Sequence, residues 1–196
     1  MSGALGAFIT VAKQDTAAAL RRARAERLRN RSHFLAWTAR YAPDGQVVAI
    51  AREALAASAQ DADPFWNVAL AAAPLRALIE RGHGDECERA LPPVLARAEE
   101  ITHSLCRMDA HARLLSAVLT APTARAAVIP GLLRAARAAS SWKVPRCLAD
   151  ASVMVASIAP GEAAPLLAAL ADGRHKRQAE RLIAAGDAAS IPTFFW

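Results

Sequence analysis

The chain has 196 residues, enough for one compact domain or one short run of repeats with a sizeable core. Hydrophobic residues make up 54%, and 51 residues are Ala against 10 aromatic ones. That composition favours helices and leaves too few β-branched and aromatic runs for a sheet protein. The net charge is +6, carried by 21 Arg and 3 Lys, and the longest uncharged stretches, Met1–Ala12 and Pro64–Leu75, are twelve residues each. A membrane span takes roughly 20 apolar residues, so none is expected.

In chain order, apolar periodicity predicts helices over 14–41, 45–60, 64–82, 85–102, 104–120, 123–139, 142–158, 161–171 and 174–186. The first is strongly basic and is expected to be one long helix that caps the N-terminal end, within a segment 1–43. Asp44-Gly45 after Pro43 opens the second. Asp63-Pro64 reads as an N-cap followed by proline at the first helical position. Gly82 and Gly84 end the third helix, and Asp85, Glu86 and Glu88 then place negative charge at the next N-terminus, where the helix dipole favours it. Pro74, Pro130 and Pro145 fall inside or near the start of predicted helices, where kinks or early breaks are expected. Pro160-Gly161 and Asp172-Gly173 punctuate the last two helices. The repeats are expected to occupy 44–187, followed by an aromatic tail over 188–196.

Aligned with itself, the chain shows a period of about 37 residues. Ala90, Ala127 and Ala164 each open an apolar segment, and Leu105 and Trp142 stand 37 apart at the start of second helices. One apolar stripe per helix cannot be buried within a single pair, so stacking of neighbours would complete the core. The fold expected is therefore all-α: a short right-handed α-solenoid of stacked antiparallel helix pairs, about four pairs plus the basic N-terminal helix. Stretches such as Leu132-Leu133-Arg134-Ala135-Ala136-Arg137-Ala138 and Arg146-Cys147-Leu148-Ala149-Asp150-Ala151 resemble the degenerate TPR- and HEAT-like helical repeats of bacterial proteins. They are most similar to the Ala/Leu-rich arms of STAND-type defence and signalling proteins. The resemblance covers about 45–186 and implies a stacked-helix architecture.

Charge is unevenly placed. Residues 1–43 hold eight bases against two acids, 44–173 hold 12 against 14, and 174–196 hold four against two. The candidate binding residues are accordingly Arg21, Arg22, Arg24, Arg27, Arg29 and Arg31, with a smaller cluster at Arg174, Lys176, Arg177 and Arg181. A concentrated Arg helix suits phosphates or an acidic protein surface; its plainer reading is the solvated face of a capping helix. Phe194, Phe195 and Trp196 add three large rings at the end of the sequence. They suit either sealing of the last helix or docking on a partner, a second copy included.

Catalytic and metal motifs are not evident. His83 and Cys87 (i, i+4) and His103 and Cys106 (i, i+3) match no zinc spacing, and ordinary core or surface roles account for them. No GxSxG, HExxH or Gly-rich phosphate loop occurs, so neither catalytic residue nor cofactor is assigned. A HEAT-like DNA glycosylase would use Trp and Asp on a basic groove, and Trp66, Trp142, Asp109 and Asp150 are of that type. Packing between repeats is the simpler expectation for both Trp residues, and an exposed face or groove wall for Arg107 and His111. Three cysteines without CxxC spacing suit free thiols in a reducing cytoplasm, and with no base before Lys13 a secretory leader is not expected. The function expected is a non-enzymatic protein–protein interaction module of adaptor, immunity or sensor type. The alternative is a nucleic-acid-binding HEAT-like protein that uses the N-terminal Arg helix.

Overall fold

The computed structural model describes residues 3–187; the candidates Phe194, Phe195 and Trp196 lie outside them. Among the described residues the chain is all-helical, with no strand. Eleven α-helices run in order: α1 (Gly3–Gln14), α2 (Thr16–Ala25), α3 (Leu28–Tyr41), α4 (Asp44–Ala59), α5 (Pro64–Glu80), α6 (Gly84–Glu99), α7 (Ser104–Ala117), α8 (Pro122–Ala138), α9 (Lys143–Ala156), α10 (Ala164–Ala168) and α11 (Arg174–Ala185). A short 3-10 turn, Pro160–Ala163, precedes α10. None of these helices is long and apolar enough to cross a membrane. The chain divides into two compact units, Met1–Glu100 and Ile101–Trp196.

In the first unit α3 packs on both α4 and α5, α5 continues onto α6, and α1 and α2 lie against α3. The single helix expected over 14–41 is corrected to two, α2 and α3, with a further helix, α1, before them. Asp15 caps α2, its carboxylate accepting from the Ala18 amide at 2.9 Å. Glu26 and Arg27 then take extended backbone (φ −77, ψ 159 and φ −63, ψ 155), which ends α2 and lets α3 start in a new direction. No Gly or Pro marks this break; tertiary contacts hold it. Arg31 donates to the Glu26 carbonyl, while Arg24 and Arg29 tie the two helices separately to Glu53 and Asp61. Upstream, Phe8 is fully buried and stacks on Phe34 with ring centroids 4.1 Å apart. The apolar N-terminal segment thus finds its core on α3.

In the second unit α7 packs on α8 and α9, and α9 packs on α10 and α11. Its core includes Leu114, Leu115, Val128, Leu132, Val155 and Leu166, all fully buried. Leu132 faces inward as expected, whereas its neighbour Leu133 is half-buried.

Caps read from the sequence recur in the fold. The Asp63 carboxylate accepts from the Phe65 amide at 2.9 Å, with Pro64 at the first position of α5. Gly82, read as a helix end, takes positive φ (78), a left-handed conformation that glycine adopts without a Cβ penalty; Gly186, which closes α11, does the same (66). The breaks expected at prolines do not occur. Pro74 lies within α5, Pro130 within α8, and Pro145 in the first turn of α9, where its missing N–H would lack an intrahelical acceptor in any case.

Candidate functional site

Folding distributes the N-terminal arginines over two helices and a connection, and occupies several of them. Arg24 on α2 grips Glu53 of α4 through two bonds of 2.9 and 2.8 Å. Arg29 on α3 pairs with Asp61 at 2.6 Å and covers the Trp66 ring, its guanidinium carbon 4.6 Å from the centroid. Arg31 is turned back to the Glu26 carbonyl, and Arg22 lies over Phe8 at 5.7 Å. Arg21 and Arg27 are exposed. The Glu53 and Asp61 carboxyls are held below the usual range, first by the hydrogen bonds from Arg24 and Arg29. Further bridges join Arg40 to Glu80, Arg52 to Glu86 and Arg81 to Asp44. With 13 bases against 12 acids, the first unit is nearly neutral. Its arginines bind helix to helix.

The second unit carries 11 bases against six acids, so nearly all of the excess charge resides there. Between α9 and α11 lies an open groove of about 340 Å³. Its walls are Ala149 and Val153 of α9 and Ala179 and Leu182 of α11, with Arg146, Asp150, Arg174, His175 and Gln178 supplying polar atoms. Trp142, the N-cap residue of α9, stands at the groove with 71% of its surface exposed and Lys143 Nζ 5.8 Å from its ring centroid. The packing role expected for Trp142 is therefore corrected: the ring projects into solvent. Trp66 is 38% exposed and already covered by Arg29.

Asp150 differs electrostatically from Glu53 and Asp61. Burial pushes its carboxyl above the usual value, and Arg146 and His175 only partly offset that. Arg146 reaches it at 3.9 Å, too long for a hydrogen bond. Next to it on α9, burial pushes the Cys147 thiol up to about 12, with Asp109 and Asp150 adding to the shift. That thiol stays protonated near neutral pH and is a poor nucleophile. On α11, Arg174, Arg177 and Arg181 are exposed at spacings i, i+3 and i+7, on one stripe of which Arg174 lines the groove and donates to His175 Nε2 at 3.3 Å. Lys176 is bound to Asp172 at 2.8 Å.

The other sequence candidates fall elsewhere. His83 and His103 are the N-cap residues of α6 and α7. Cys87 is buried, its thiol pushed up to about 11 by burial. Among the described residues no group of three or more His, Cys, Asp or Glu is arranged to hold a metal. His111 is not on an exposed face; it is 1% exposed and packed over Gly131. The sequence pairs Trp142 with Asp150 only as residues of the glycosylase type, together with Trp66 and Asp109, and leaves the 174–181 bases apart from them. The signal available was the pairing of a lone Trp with a basic helix on the adjacent element. No family model, curated protein or solved structure matches the chain.

Proposed function

We propose that the chain is a non-enzymatic interaction module of the TPR/HEAT-like helical-repeat kind, a short α-solenoid whose α9–α11 groove receives an anionic macromolecule. The observation that carries this is the groove of the second unit: an exposed Trp142 beside an exposed arginine stripe, in a unit with five excess positive charges. An exposed ring at the mouth of a groove offers a partner apolar area, and the excess of bases over acids in the unit steers an anionic one. The repeat reading is supported by the helix starts: Asp44, Gly84 and Pro122 open α4, α6 and α8 at intervals of 40 and 38 residues. It is supported too by packing within each unit, where α3 meets α5, and α9 meets both α7 and α11. Three free thiols fit a cytoplasmic setting.

An acidic protein surface and a nucleic acid share the required chemistry. The N-terminal arginines are not the binding element in this reading, because Arg24 and Arg29 already have carboxylate partners. The test uses the immobilised full chain. A partner held by the unaltered chain should be lost from W142A/R174E and retained by R21E/R27E, with all three melting alike. Loss from R21E/R27E and retention by the groove variant would move binding to α2–α3 and sink the proposal.

A further inference from the structure

Resting on that reading, we infer that the α9–α11 groove binds single-stranded nucleic acid, with one unstacked base on Trp142 and the adjoining phosphates on the arginine stripe of α11. Three features of the groove separate this ligand from an acidic polypeptide.

The first is the stripe. Arg174, Arg177 and Arg181 span seven residues, about 10 Å of helix. Such a row suits a polymer whose charge repeats along its backbone, and each exposed guanidinium can form two bonds to a phosphate.

The second is Trp142. Its indole is 71% exposed and flanked by Lys143, at the mouth of a groove of about 340 Å³ that fits a base-sized group. An aromatic ring beside a basic track is the arrangement on which single strands stack, because every base has a π-face. A duplex keeps its bases in the stack, out of reach of a ring fixed on a helix N-terminus.

The third is Asp150. A half-buried carboxylate whose cation, Arg146, stands 3.9 Å away, beyond hydrogen-bond reach, disfavours a glutamate or aspartate entering the groove beside it. It accepts instead from an exocyclic amino group such as cytosine N4, and Gln178 beside it supplies both a donor and an acceptor. The phosphates remain outside, on α11, away from that carboxylate.

The test is fluorescence anisotropy of a labelled short oligodeoxycytidylate with the full chain, compared with the same sequence in a duplex and with a Glu/Tyr copolymer. The expected result is tighter binding of the single strand than of the duplex. Its logarithmic salt slope should be about −2, for three neutralised phosphates on a single strand. W142A should weaken binding about tenfold, the order expected for one stacked base. R174Q/R177Q/R181Q should flatten the slope, and R21Q/R27Q should change neither. Single-strand binding that W142A leaves intact would overturn the inference, as would no binding by a chain with an unaltered melt. If the copolymer binds through Trp142 and the oligonucleotide does not, the nucleic-acid inference fails while the interaction-module reading stands. If neither polymer binds, both fail.

Discussion

The Arg125 guanidinium is buried, 2% exposed, near the start of α8. Glu162 takes it in a bidentate grip, with both bonds 2.8 Å, and the Leu119 carbonyl accepts from its remaining end. The pair joins α8 to the 3-10 turn that leads into α10. Truncating Glu162 to Ala leaves a buried cation without its anion, whereas Arg125→Met removes the charge and keeps most of the volume. E162A is expected to lower the melting temperature more than R125M does; equal effects would place the importance of the pair in its packing alone. The Glu162 carboxyl is held below its ordinary value by Arg125. Its stabilising contribution is therefore complete above the ordinary glutamate value and lost as pH falls through the lowered one. Asp150 runs the other way. Its raised folded value means that it opposes folding at neutral pH, and the opposition fades as pH falls toward the ordinary aspartate value. D150N should accordingly raise the melting temperature near pH 7, with a gain that shrinks on acidification. A gain independent of pH would contradict the burial of that carboxylate. Gly131 offers a steric counterpart. A Cβ there would lie 2.2 Å from His111 Cε1, so G131A should destabilise the second unit by about 1–3 kcal/mol, as overpacking of a core does. Thermal melts check this, and H111A in the same chain should recover part of the loss.

At the level of elements, the break between α2 and α3 is the most informative. Arg27 sits at φ −63 with an extended residue before it, the backbone a proline requires. In a continuous helix over 14–41, R27P would cost about 3 kcal/mol or more. At an extended connection it should be neutral or stabilise by about 0.4–1 kcal/mol through the unfolded chain. A melt of R27P therefore distinguishes the two architectures directly. Elsewhere helix starts were legible because their chemistry is local. Asp63-Pro64 needs only its own side chain and φ to open α5, and Gly82 needs only a missing Cβ to close it. The break at Glu26 had no such signal, since Ala25-Glu26-Arg27-Leu28 is a good helix-forming run. Contacts with α4 and with Asp61 override that preference.

Across the whole molecule, charge changes meaning once the chain folds. Read by segment, the positive excess belongs to residues 1–43; the fold groups that segment with the acid-rich residues 44–100, so the first unit is nearly neutral and the excess stands in the second. R174Q/R177Q/R181Q should therefore elute earlier from a polyanionic resin than R21Q/R24Q/R27Q, although both sets remove three charges. The hydrophobic core is similarly specific by position. L132A should cost about 2–5 kcal/mol, as for a fully buried leucine, and L133A clearly less, since that side chain is half-buried. Equal losses by chemical denaturation would mean that the face of α8 is misassigned.

The all-helical class follows from the sequence alone, because Ala propensity, apolar periodicity and Asp, Pro and Gly punctuation act over a few residues and need no distant partner. The candidate site did not follow in that way. Whether Arg29 faces phosphate or Asp61, and whether Trp142 fills a core or stands in water, depends on residues far apart in the chain. Long-range packing of α3 on α4 and α9 on α11 decided both, by bringing acids to the first arginines and leaving the last ones open beside an exposed ring.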